Sequence, residues 1–233
     1  MAVKVAGELY ESVTGQLFEI GRQLRQPNGY PFDPEQLKNF LQLAVEGKFN
    51  GIAASAVRSP TLVLHKTTPL GEVQAKKTDK CFTGKQWAYR DGDIDRWLPG
   101  QQSAQAACSV GVYQLQNSKG TTFREMAVAA LKVGPGTSLD LLAKKAIKEQ
   151  GFIFTLSAIE SMVDRQEGGE DVGLLTNGYA NFFFVEDSDG SVSVLRVHRD
   201  GGRWRAYVYR LGDGDRWPAE DRLLLRNSDT PTL

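Results

Sequence analysis

A chain of 233 residues with 41% hydrophobic and 24% charged residues can bury a proper core as one large domain or two modest ones, without metal or disulfide help. Formal net charge is zero, so no global field draws the protein toward nucleic acid or an anionic membrane. The charge is uneven all the same, because residues 149–233 carry nine Arg, no Lys and fifteen acids, a net −6 against +6 for the remainder.

The first expected element is an amphipathic helix, with Leu9, Val13, Leu17, Ile20 and Leu24 at three- and four-residue spacing. Pro27 and Asn28-Gly29 end it. Asp33 then offers an N-cap carboxylate, Pro34 suits the first helical position, and Phe32 can staple Leu37 as a second helix runs to about Gly47. Short strands are expected over Thr61–His65, Gln86–Arg90 and Ser109–Leu115, with Lys66 to Asp79 as an exposed loop.

Thr122-x-x-Glu125 has capping-box spacing and predicts a helix to Leu131. Another helix begins at Thr137 or Ser138, carries Leu139, Leu142, Ala143, Ala146 and Ile147 on one face, and stops at Gly151. Thr155 caps the next, with Phe154 placed to staple Ile159. Four strands follow, Ala180–Asp187, Ser191–Arg199, Arg203–Leu211 and Arg222–Arg226, punctuated by Asp-Gly and Gly-Gly turns and expected to form an antiparallel meander. Strand alternation puts Arg205, Tyr207 and Tyr209 on one face, with Trp204, Ala206, Val208 and Arg210 on the other.

Two echoes cut across these elements. Tyr89-Arg90-Asp91-Gly92-Asp93-Ile94-Asp95-Arg96-Trp97 returns 120 residues later as Tyr209-Arg210-Leu211-Gly212-Asp213-Gly214-Asp215-Arg216-Trp217, identical at seven of nine positions. Gly29-Tyr30-Pro31-Phe32-Asp33 has a looser counterpart in Gly151-Phe152-Ile153-Phe154-Thr155. Echoes at nearly one offset predict a duplicated unit. The expectation is an α+β protein of two tandem α-α-β repeats, residues 1–118 and 119–233, with helical pairs packed on antiparallel meanders and one additional helix in the second repeat.

Candidate chemistry is sparse. Asp93 and Asp95, repeated as Asp213 and Asp215, form Asp-x-Asp corners that can attract Ca²⁺ or Mg²⁺. EF-hand spacing is excluded, since Arg96 and Gln102 stand where Gly and Glu are needed. The plainer reading is a turn whose acids pair with neighbouring Arg. Arg and aromatic residues interleave between Arg196 and Arg226, and a sheet presenting them can stack bases and contact phosphates. Five acids in that span offset its eight Arg. Arg96, Trp97, Arg205, Tyr207, Tyr209, Arg216 and Trp217 are therefore the candidate binding residues, with structural packing the plainer role for Arg96, Trp97, Arg216 and Trp217. His65 and His198 sit in no GxSxG, HExxH or Cys/His pattern, and Gly134-Pro135-Gly136 lacks the Lys-Ser/Thr of a phosphate loop.

Cys81 and Cys108 form no CxxC pair and are expected to be reduced. No apolar run is long enough to span a bilayer, and Met1 to Tyr10 lacks the apolar core of a signal peptide, so a cytoplasmic setting without membrane partner is expected. Gly29-Tyr30-Pro31-Phe32-Asp33-Pro34-Glu35-Gln36, Tyr89-Arg90 through Trp97-Leu98-Pro99, Gly178-Tyr179-Ala180-Asn181-Phe182-Phe183-Phe184-Val185-Glu186 and Arg222-Leu223-Leu224-Leu225-Arg226-Asn227 resemble segments of a group of uncharacterised small proteins of candidate-phyla-type bacteria. That resemblance implies no activity, cofactor or catalytic residue. The sequence thus points to a non-catalytic binding or assembly protein with its site between the repeats and no cofactor. Its rivals are a nucleic-acid binder on the C-terminal sheet and a metal-dependent enzyme at the Asp-x-Asp corners.

Overall fold

The computed structural model describes residues 61–227 apart from Ser118 and Pro135, together with Thr14, Gly15, Leu17, Phe18, Gly21, Arg22, Lys38, Leu41 and Gln42. The chain divides into two compact units, Met1–Val57 and Arg58–Leu233. In the first unit the nine described positions are all helical and fall within the two expected helices. The caps and most of the apolar anchors of those helices lie outside the described residues. No helix among the described residues is long and apolar enough to cross a membrane.

The second unit is built on one mixed sheet of eight strands: β1 (Thr61–Leu70), β2 (Trp87–Arg90), β3 (Cys108–Gln116), β4 (Ile153–Phe154), β5 (Ala180–Glu186), β6 (Val192–Asp200), β7 (Arg203–Arg210) and β8 (Arg222–Asn227). Their order is β1-β3-β8-β5-β6-β7-β2, and β4 pairs with β5 alone. Helix α1 (Asp93–Trp97) follows β2, and α2 (Phe123–Leu131) follows β3. Between α2 and β4, α3 combines Leu139–Leu141, a π-turn over Leu142–Ala146, and Ile147–Glu149; α4 (Leu156–Glu167) lies between β4 and β5.

The helix starts obey the local chemistry. The Thr122 hydroxyl accepts from Glu125 N–H while the Glu125 carboxylate accepts from Thr122 N–H, a complete capping box. The Ser138 and Thr155 hydroxyls cap α3 and α4 by accepting from Leu141 and Ala158 N–H, without a reciprocating acid. The π-turn in α3 brings Leu142 and Ile147, five residues apart, into one cluster, a register that a regular α-helix would not give.

Each face of the sheet carries its own core. One contains Leu156, Ile159, Met162 and Val163 of α4 with Phe183, Leu195, Val197, Trp204 and Val208. The other contains Phe123 and Met126 of α2, Leu142 and Ile147 of α3, and Phe182, Phe184, Val194 and Leu223. Strand β5 is buried on both faces, which explains its unbroken run Phe182-Phe183-Phe184-Val185.

The α+β class stands, but one mixed sheet replaces the expected pair of separate antiparallel meanders. Strand β8 does not close a meander beside β7. It pairs antiparallel with β3 and parallel with β5, so strands from either side of residue 118 interleave. Leu223, Leu224 and Leu225 are all buried, and such a strand needs a neighbour on each edge and cover on each face. Lys66 to Leu70, expected as loop, continues β1 beyond a register shift between Leu64 and Lys66.

The two nine-residue copies adopt different conformations. Their only unlike positions explain why. In the first copy Asp91 accepts the Asp93 N–H and Ile94 is fully buried, so residues 93–97 wind into α1. In the second, Leu211 is the buried anchor and Gly214 offers none, leaving a turn closed by Arg210 N–H on the Asp213 carboxylate. Trp97 packs with the α4-side core and Trp217 with the α2-side core.

Gly173 is held at φ +87°, and a Cβ there would stand 2.8 Å from Val112 Cγ2. Gly173→Ala should therefore cost about 1–3 kcal/mol from backbone strain and overpacking. Urea denaturation checks this, and an unchanged midpoint would contradict it.

Candidate functional site

The α2-side face of the sheet ends in an area rich in rings and guanidinium groups. Strand β6 pairs antiparallel with β7, placing Arg196 opposite Tyr207 and His198 opposite Arg205. Strand β2 runs parallel to β7 and places Tyr89 beside Arg205. Three rings from three strands then form a row. Tyr89 stacks on Tyr207 at 4.7 Å between centroids and 28° between planes, and His198 stacks on the same ring at 5.6 Å and 17°. Arg196 lies between two rings, 5.5 Å from the Tyr207 centroid and 5.0 Å from that of Trp217. Tyr89 is the open end of the row, at 42% exposure.

Hydrogen-bonding capacity is left unused here. Arg196 Nε, His198 Nδ1, Arg205 Nε and Trp217 Nε1 are buried atoms without a partner. Most buried polar atoms in folded proteins are paired, so four such nitrogens on one patch require an explanation. Arg205 pairs with Asp200 at 3.1 Å, whereas Arg196 makes no ion pair among the described residues.

Burial, with Arg196 and Arg205 alongside, pushes the His198 imidazole down to about 4 against the opposing pull of Asp200. The ring is therefore neutral at neutral pH. Burial pushes Asp221 up to about 6, partly offset by the hydrogen bond from Ala180 N–H and by Arg196. At the open end Asp91 chiefly, together with slight burial and Asp93, raises the Tyr89 phenol. The patch thus has a cationic interior and an acidic rim beside Tyr89.

Of the seven expected binding residues, the structure unites Arg205, Tyr207, Tyr209 and Trp217 on this face. Tyr209 and Trp217 are also part of the packing, in contact with Phe123 at 5.5 and 5.3 Å. Trp97 lies with the other core, its ring covered by the Arg210 guanidinium 4.0 Å away. Arg96 pairs with Asp93 at 2.9 Å, and Arg216 donates to Gly120 O and Glu125. The acidic corners are engaged internally as well: Asp95 forms a two-point pair with Arg90, and Asp213 accepts from Arg210 N–H. Asp215 is exposed. No group of three or more His, Cys, Asp or Glu able to hold a metal occurs among the described residues.

Tyr89, Arg196 and His198 were missed as members of the site. The parity of Arg196 and His198 within β6 was readable, but their pairing with Tyr207 depends on register, and the parallel approach of β2 leaves no local mark. Cys81 and Cys108 are free thiols, and burial raises Cys81 to about 11, so it is poorly reactive. No protein-family model, curated protein or solved structure matches the chain.

Proposed function

We propose that this is a non-catalytic binding protein whose site is the β2–β7 seam, and that single-stranded nucleic acid is its ligand. The row Tyr89–Tyr207–His198 beside the stacked Arg196 is the observation that carries the reading. Rings on a sheet stack bases of any sequence, and a single strand alone offers its base faces freely. Arg196 and Arg205 supply donors for backbone phosphate, whereas Asp91 and Asp93 repel phosphate from the Tyr89 end. A base is accordingly placed against Tyr89, the open end of the row, and the sugar-phosphate chain toward β6. The tandem duplication is retained in this proposal, supported by the seven shared positions of the two motifs, since β2 leads into one copy and β7 into the other.

Titration of intrinsic fluorescence with single-stranded oligonucleotides at low and at physiological salt tests the proposal. Quenching that weakens with salt is expected. Tyr89→Ala should weaken binding about tenfold or more, the scale of one lost base stack, while Tyr89→Phe should retain it. Absence of any quenching at low salt, or equal affinity in Tyr89→Ala, removes the proposal.

A further inference from the structure

A separate cavity of about 390 Å³ opens at the carboxyl ends of β4, β5 and β8, three strands that run parallel. Open sheets place ligands at such strand ends because the chain there leaves the sheet and exposes its turns. The volume falls in the range of small-molecule pockets, about 300–1,000 Å³.

Its polar lining is dominated by donors. Lys148 Nζ donates to the Glu186 carboxylate at 2.5 Å and to Gly190 O at 3.1 Å, which leaves one of three ammonium protons uncommitted. Arg226 Nη1 donates to Ile153 O at 2.9 Å, yet its Nε is buried without a partner. Gln105, only 2% exposed, also lines the cavity. Its Oε1 accepts Thr155 N–H at 3.2 Å, which fixes the amide orientation, and its Nε2 has no partner among the described residues. The start of α4 is not itself the recognition element, because Gln105, Gln102 and the Thr155 hydroxyl already accept from Thr155, Leu156 and Ala158 N–H. Two cations face one carboxylate, so the cavity is net positive.

We propose that this cavity binds a small organic molecule carrying a carboxylate or phosphate group, with the oxyanion between Lys148, Arg226 and the Gln105 amide. An oxyanion supplies several acceptors at once and forms charge-assisted bonds with the donors left over. The volume exceeds that of the anion alone, being about a dozen times the 30 Å³ share of a water molecule, so a small organic body accompanies it. The site is independent of the sheet face and does not rest on the nucleic-acid reading.

Inorganic phosphate and succinate, each titrated against chloride at matched ionic strength, test the inference through thermal shift and calorimetry. A saturable response to at least one of them is expected, and the stronger of the two identifies the oxyanion class. Lys148→Gln and Arg226→Gln should each weaken that response at least tenfold, while Lys85→Gln, an exposed lysine outside the cavity lining, should leave it unchanged. Acylation of Lys148 in the unaltered protein, read by mass spectrometry, gives a second measure that requires no variant. The effective oxyanion should slow it several-fold, and chloride should not. A response to both oxyanions no different from chloride overturns the inference, and so does undiminished binding in folded Lys148→Gln and Arg226→Gln, or Lys148 acylation indifferent to the oxyanion.

Discussion

Trp204→Ala is expected to lower the unfolding free energy by about 3–5 kcal/mol, the range for removing a large aromatic side chain from a core. Trp204 has no exposed surface. Its strand neighbours are Arg199 on β6 and Trp87 on β2, and its ring lies 6.5 Å from that of Trp87. The indole Nε1 donates to Glu167 Oε1 at 2.8 Å, and the same carboxylate pairs with Arg199 at 3.1 Å. Truncation would therefore open a void where β7, β2 and the end of α4 meet and leave Glu167 without one of its donors. Trp204→Phe separates the two contributions in large part, because it loses the hydrogen bond while keeping most of the volume. It should cost about 1–2 kcal/mol. Trp217→Ala should cost less than Trp204→Ala, since Trp217 is only partly buried and its Nε1 has no partner. Equilibrium denaturation of the three variants decides the matter. Equal stability losses at Trp204 and Trp217 would show that burial does not set the scale.

Local features were well readable from the residues. The alternation in β7 correctly separated Arg205, Tyr207 and Tyr209 from Trp204, Ala206 and Val208, because period-two patterning is imposed by the pleat itself. The caps at Thr122, Ser138 and Thr155 were legible for a similar reason: each needs only an oxygen placed before unpaired N–H groups. Non-local pairing was not readable. Nothing in Arg222–Asn227 states that the strand inserts between β3 and β5, although three consecutive buried leucines do signal two covered faces. The repeated motif misled for an instructive reason. Seven shared residues suggest one shape, yet the fold follows the two unlike ones, Ile94 anchoring a helix where Gly214 cannot. The candidate face was half legible, through Arg205 and Tyr207. Its other half, Tyr89, Arg196 and His198, is assembled by strand register.

That face also carries two titrating groups of opposite sign, and variants should expose them. The unfolded chain takes up a proton on His198 near pH 6.5, whereas the folded protein does so only at about 4. Between those values the unfolded state binds more protons, so stability rises with pH, by about 3 kcal/mol in all. Asp221 works the other way. Its folded value of about 6 lies above the ordinary 3.8, so the folded state holds a proton that the unfolded state has released. Stability from this group is present at acid pH and falls as pH rises through the same window, again by about 3 kcal/mol. The two contributions nearly cancel in the parent protein. Asp221→Asn removes the falling contribution and can still accept from Ala180 N–H. Its stability relative to the parent should therefore improve by about 3 kcal/mol between pH 4 and neutrality. His198→Phe keeps a ring against Tyr207 and removes the rising contribution, so its relative stability should decline by a similar amount over the same interval. Both differences are read from denaturation midpoints across that pH range. Profiles that run parallel to the parent in both variants would mean that neither group is perturbed by its burial. The face would then gain a positive imidazolium on His198 as pH falls below about 6.5, beside its arginines.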